Sequence, residues 1–139
     1  MNMENNNPTN IGSTLLAIPL AFVVWAVVFV LAHVALYLLD SLRGLSNDWM
    51  QGIFREWFTP GVGGYAAIIA VNKYLEKASL KWAAIGFCSP IVVFYIFFSL
   101  YIIIFHSGEY SFQWKEQILN WGMAIATCIG AYIGVHKYR

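Results

Sequence analysis

Three long apolar runs dominate the hydrophobic pattern, and the charged residues are concentrated between and beside them. Residues 15–39, 82–105 and 118–135 contain no acidic residue, lysine or arginine. About 20 apolar residues in a helix cross the roughly 30 Å hydrocarbon core of a bilayer. The pattern therefore predicts membrane spans at about 13–39, 82–105 and 118–135.

A weaker apolar segment lies between the first two of these runs. Residues 59–75 are rich in glycine and alanine and end near a lysine. Thr59 and Pro60 are typical of an N-cap and a first helical position. The segment predicts a short span at about 59–75, and the alternative is that residues 60–75 form a re-entrant segment.

The stretch before this segment is amphipathic. At ~100° per residue, residues 48–58 separate into an apolar and a polar half. Such a helix, next to a membrane span, is typical of one that lies in the membrane surface. The predicted membrane-interface residues are Trp49, Met50, Ile53, Phe54, Trp57 and Phe58.

These segments together predict an all-α integral membrane protein. The fold is expected to be a bundle of four transmembrane helices, with one interfacial amphipathic helix at about 48–58 between the first and second spans. Residues 1–10 form a polar tail and residues 11–139 a single membrane domain. The composition agrees, since 60% of the residues are hydrophobic and 11% are charged, against about 25% charged in a soluble domain.

Lysine and arginine are enriched in the short cytoplasmic loops of membrane proteins. Their distribution here predicts that both termini are cytoplasmic, most simply in a bacterial inner membrane. A formal net charge of +1 gives no reason to expect a nucleic-acid partner. The predicted inner side carries Lys73, Lys77, Lys81, Lys137 and Arg139, and the predicted outer side carries Arg43, Arg55 and Lys115.

Small residues recur at every fourth position of the last span, which places them on one helix face. Such a face lets another membrane helix approach closely, so it predicts a packing or oligomer interface with the third span or with another subunit. Cys88 and Cys128 are expected to take part in helix packing, with a redox or metal pair as the alternative. The predicted packing face consists of Gly122, Ala126, Gly130 and Gly134.

His33 is the candidate functional polar residue, because it is the only residue in the first run that can be charged near neutral pH. The alternative is a neutral histidine bonded to a carbonyl, or to a hydroxyl such as that of Ser99 or Tyr101. No carboxylate is expected at a matching depth. The sequence therefore predicts no catalytic residues, no metal site and no cofactor.

The favoured function is a non-enzymatic membrane anchor, sensor or effector subunit, for example of a bacterial defence or toxin-immunity system. Its expected partners are the lipid bilayer, further copies of itself, and a soluble or membrane protein. One alternative is an oligomeric ion channel or small transporter, and another is an enzyme acting on a lipid with His33 or His106 as base. The pore or hinge candidates for the channel are Pro60, Gly61, Gly63 and Gly64.

Overall fold

Four α-helices account for most of the residues that the computed structural model describes. The described residues are 9–44, 49–106, 108 and 114–138, with the backbone alone described at 49–52 and at 114–115. Most of the predicted polar tail, and the side chains of Trp49 and Met50, therefore lie outside the described residues. The helices are α1 (Ile11–Leu42), α2 (Trp49–Tyr74), α3 (Leu80–His106) and α4 (Trp114–Lys137).

Three helices are long and apolar enough to cross a membrane. They are α1, α3 and the part of α4 from Glu116 to Lys137. All three extend a few residues beyond the predicted spans, because helices continue past the hydrocarbon core into the more polar interface. The structure thus agrees with an all-α membrane protein, and α2 does not meet the same criterion of apolarity.

The predicted break between an interfacial helix and a second span is wrong. Residues 48–58 and 59–75 were expected to be separate elements, but α2 runs through Thr59 and Pro60 without interruption. Pro60 has no amide N–H, so it cannot serve the carbonyl four residues before it. The Thr59 hydroxyl donates a hydrogen bond to the Arg55 carbonyl at 2.9 Å. That carbonyl precedes the one that Pro60 leaves free, which belongs to Glu56. Pro60 itself is fully buried in the bundle, and such packing allows proline inside membrane helices.

α2 occupies the middle of the bundle and packs mainly against α1 and α4. α3 closes the bundle on the far side, where it contacts α1 and α4 more than α2. Trp57 of α2 lies against Gly122 and Ile68 against Gly134, so α2 and α4 are parallel. α1 is antiparallel to α2, since Trp25 of α1 lies against Gly63 of α2 while the later His33 of α1 lies against the earlier Glu56 of α2.

Hydrogen bonds tie the start of α1 to the loop between α2 and α3. The Asn10 amide donates to the Lys77 carbonyl at 3.0 Å, and the Ser79 amide donates to the Thr14 hydroxyl at 3.0 Å. The Asn10 side chain also caps α1 by accepting from the Gly12 amide. The end of α2 therefore lies at the same end of the bundle as the start of α1.

The outward faces of α1 and α3 are apolar. Leu31, Phe97 and Ile104 are each about two-thirds exposed. The interior, by contrast, is built largely from alanines packed around Phe87, which is fully buried. An apolar surface of this extent is unfavourable in water and suits contact with lipid chains.

Candidate functional site

The small face of α4 packs against α2 along its length. A Cβ atom added at Gly130 would collide with the Gly61 carbonyl, and one at Gly122 would collide with the Trp57 indole. A Cβ at Gly134 would lie 2.9 Å from the Cβ of Ile68. The predicted close-packing face of α4 therefore lies against α2, rather than against the third span or another subunit, which were the partners expected.

The pore or hinge candidates of α2 lie in the same helix contacts. Gly64 lies against the backbone of Thr127 in α4. A Cβ atom added at Gly61 would lie 3.3 Å from the Ala126 carbonyl oxygen. Gly63 faces α1, where an added Cβ would lie 2.9 Å from Trp25. Pro60 is fully buried. These positions give α2 its close approach to both neighbours, and Gly61 also lines an outward-facing groove between α2 and α4.

His33 faces a carboxylate across the interface of α1 and α2. Its Nε2 lies 3.7 Å from Oε1 of Glu56, and the two side chains are about 30% and 28% exposed. The expectation that His33 has no carboxylate at its depth is therefore wrong. The predicted alternative partner Ser99 is instead buried against Gln117, with 3.4 Å between the hydroxyl and the amide oxygen.

A second ion pair lies one to two helical turns nearer the end of α1. Arg55 donates from Nη1 to Oδ2 of Asp40 at 3.1 Å, and the side chains are only 12% and 14% exposed. The Arg55 guanidinium also lies over the Tyr37 ring, 5.4 Å from its centroid. Both pairs join α1 to α2, so four charged or chargeable groups are concentrated at one helix interface.

Three buried nitrogens at this interface have no hydrogen-bond partner among the described residues. They are Nε1 of Trp25, Nδ1 of His33 and Nε of Arg55. Buried donors are usually satisfied, and leaving one unpaired costs about 1–3 kcal/mol. Two of them, on His33 and Arg55, belong to the ion pairs, while Trp25 lies about two turns further along the interface, against Gly63.

We call this group the α1–α2 polar cluster: His33, Asp40, Arg55 and Glu56, with Tyr37 beside them. Tyr95 of α3 also lies within electrostatic reach of Glu56. A histidine beside a carboxylate can exchange a proton and thereby change the charge of the pair. The cluster can therefore store or release charge at a helix interface, whereas it contains no nucleophile positioned beside a base.

The residues predicted to lie in the membrane surface have several roles. Phe54 and Phe58 are exposed and their rings stack, with centroids 5.2 Å apart. Trp57 covers Gly122 and is 38% exposed, while Ile53 is half-buried. Arg55 and Glu56, from the half that was expected to face water, lie instead against α1.

Cys88 of α3 and Cys128 of α4 are both free thiols, and they line the same groove between the two helices. They lie side by side because α3 and α4 are antiparallel neighbours. The glycines two residues away face other helices, since Gly86 lies against Ile18 of α1 and Gly130 lies against α2. Across the described part of the chain, no group of three or more histidine, cysteine or acidic residues could hold a metal ion.

The α1–α2 polar cluster is thus the candidate functional site, and its chemistry is that of charge and proton exchange between helices. No protein-family model, curated protein or solved structure matches the chain, so its function has to be inferred from its own residues.

Proposed function

We propose that α2 is a fourth membrane span, enclosed by the three more apolar ones. Hydrogen bonds hold the end of α2 beside the start of α1, and the Arg55–Asp40 pair holds the beginning of α2 beside the end of α1. If α1 crosses the bilayer, α2 crosses it too. With 26 residues, α2 is about 39 Å long at about 1.5 Å per residue, enough for the crossing. Its modest apolarity is tolerable because its neighbours, rather than lipid, cover its glycine-rich face.

In this topology the chain acts as a non-enzymatic membrane subunit that senses or transmits a signal within an assembly. The observation that carries the proposal is the α1–α2 polar cluster. Charged groups at membrane depth are costly and commonly mark function. The helices contain nearly all the described residues, so a response has to pass through the helices themselves or through a partner. The assembly could belong to a bacterial defence or toxin-immunity system.

The His33–Glu56 pair is the proposed responsive element. The attraction is strong only when the imidazole is charged and Glu56 is ionised, so the protonation state of His33 controls it. The other charged or titratable groups facing the pair are Arg55 and Asp40 at the same interface, and Tyr95 from α3. Losing the charge on His33 would weaken the tie between α1 and α2 at this end of the bundle, and the Arg55–Asp40 pair would hold them against complete separation.

Spin labels on the exposed positions Ser41 and Phe54 report on the α1–α2 distance at this end. The labels are introduced as cysteines after Cys88→Ser and Cys128→Ser, and the full chain is reconstituted in lipid nanodiscs. We expect the distance distribution to change when the pH is varied, and the change to be lost in the His33→Gln variant. A pH-independent distribution in the protein that retains His33 would contradict a sensing role for this pair.

The subunit role is tested separately by isolating the tagged chain from its native membrane. Cross-linking before solubilisation should recover it with a second copy or with another protein. A monomer alone, both in nanodiscs made directly from the membrane and after cross-linking, would contradict membership of an assembly.

A further inference from the structure

A groove opens between the beginning of α3 and the end of α4, at the opposite end of the bundle from the α1–α2 polar cluster. Its volume is about 380 Å³. Ile85 and Cys88 of α3 and Cys128 and Val135 of α4 form part of its walls. These walls are apolar or weakly polar, and the groove faces outward between two membrane-spanning helices. A lipid acyl chain is the apolar molecule that such a groove would meet first.

The two basic residues of this groove lie at one end of it. Lys81 is the second residue of α3 and His136 the penultimate residue of α4, and both line the groove and are exposed. The helix ends place them where the hydrocarbon core gives way to the headgroups. Within the described segments, neither residue forms an ion pair with an acid.

The electrostatics at this end favour an anion. The first turn of α3 carries no acidic residue, so its positive helix end and Lys81 act together. At the same mouth, His136 lies in the last turn of α4, where a basic group offsets the negative end of the helix dipole. The Tyr132 ring lies edge-on to His136, with 4.3 Å between ring centroids, and it forms a further part of the groove wall.

We propose that this groove binds one anionic phospholipid, with an acyl chain between α3 and α4 and the phosphate at Lys81 and His136. Basic pockets between membrane helices bind anionic headgroups through the same combination of apolar walls and a cationic mouth. A zwitterionic lipid would place its own cationic group near Lys81, and a soluble phosphate would leave the apolar walls uncovered. Phosphatidylglycerol is therefore the probe, phosphatidylcholine the lipid comparison and inorganic phosphate the soluble comparison.

Two other lysines lie at this end of the bundle but outside the groove. They make it possible to distinguish binding in the groove from attraction to the positive charge of the surface in general. Lys77 is exposed in the loop between α2 and α3 and does not line the groove. Lys137 points to the other side of α4, where its Nζ donates to the Tyr65 hydroxyl at 2.8 Å. Lys77→Gln removes the same charge as Lys81→Gln without changing the groove, so it is the matched control.

Binding is measured by native mass spectrometry of the full chain released from detergent with graded amounts of each lipid. We expect phosphatidylglycerol to bind more tightly than phosphatidylcholine, and inorganic phosphate not to compete. Lys81→Gln should weaken phosphatidylglycerol binding about fivefold, the contribution of one basic residue near a membrane surface. Lys77→Gln should leave it within error of the unchanged protein.

A second variant tests the groove rather than the charge. Ile85→Trp fills the wall of the groove while retaining Lys81 and His136, and it should also weaken phosphatidylglycerol binding. Maleimide labelling of Cys88 and Cys128 should slow when phosphatidylglycerol is added, and should not slow in Ile85→Trp. Equal losses in Lys77→Gln and Lys81→Gln, no preference over phosphatidylcholine, or undiminished binding by Ile85→Trp would each overturn the proposal.

Discussion

Replacing Gly130 by alanine places a methyl group where the backbone of α2 already lies. The added Cβ would collide with the Gly61 carbonyl oxygen and would lie 2.8 Å from its carbon and 3.0 Å from the Tyr65 amide nitrogen. All three atoms are backbone, so no change of rotamer relieves the contact and the helices have to separate. Overpacking of this kind costs about 1–3 kcal/mol, and a backbone collision belongs at the upper end of that range.

Alanine also favours the helix by up to about 1 kcal/mol relative to glycine. The net destabilisation expected for Gly130→Ala is therefore about 2 kcal/mol, which changes the ratio of folded to unfolded protein by roughly thirtyfold. The parallel approach of α2 and α4 depends on this contact, so the variant tests the centre of the bundle.

Reversible unfolding in mixed micelles, followed by circular dichroism, measures the difference. Gly134→Ala and Gly108→Ala complete a series of decreasing steric overlap. The Cβ added at Gly134 would contact the side chain of Ile68, and the one added at Gly108 would have no atom within 4 Å. We expect the loss of stability to fall from Gly130→Ala to Gly134→Ala, with almost no loss in Gly108→Ala. Equal stability of the Gly130 and Gly108 variants, or the reverse order, would refute the packing of α4 on α2.

Two further predictions concern contacts between other helix pairs. In a double-mutant cycle of Asp40→Asn and Arg55→Gln, the coupling free energy should be about 1–3 kcal/mol, because the charge-assisted bond is largely buried; additive effects would show that the pair contributes nothing. A membrane-permeable oxidation catalyst should join Cys88 and Cys128 within one chain and remove both from maleimide labelling, and Cys88→Ser should restore labelling of Cys128. Cross-links only between chains would contradict the antiparallel contact of α3 with α4.

Three of the four helices follow directly from the sequence, because a long run without charges has few alternatives to a membrane helix. α2 does not follow, because Thr59, Pro60 and the glycines after it resemble the boundary between two elements. In the structure those glycines are contacts for α1 and α4. Local sequence shows that a residue is small, but the neighbour that needs the space is a property of the whole bundle.

The sequence predicts one member of the His33–Glu56 pair and not the other. His33 is found by the rule that an ionisable residue inside a membrane span is costly. Glu56 was missed because it lies on the polar half of an amphipathic segment, and that half was assigned to water. The spacing between Glu56 and Gly63 could have revealed this position. The two residues are seven apart, which is about two turns, so Glu56 and Gly63 share one face of a continuous helix. Since Gly63 allows close packing, Glu56 on the same face is directed toward the same neighbour.

We propose that α2 crosses the membrane beside α1, with the α1–α2 polar cluster between them. It is tested by cysteine accessibility at Ser41 and Glu76, which are exposed residues at the end of α1 and just beyond α2. Each is replaced by cysteine after removal of Cys88 and Cys128, and intact cells with a permeable outer membrane are treated with an impermeant maleimide. We predict that Ser41→Cys is labelled from outside and that Glu76→Cys is labelled only after the inner membrane is opened. Labelling of both from the same side would contradict the account.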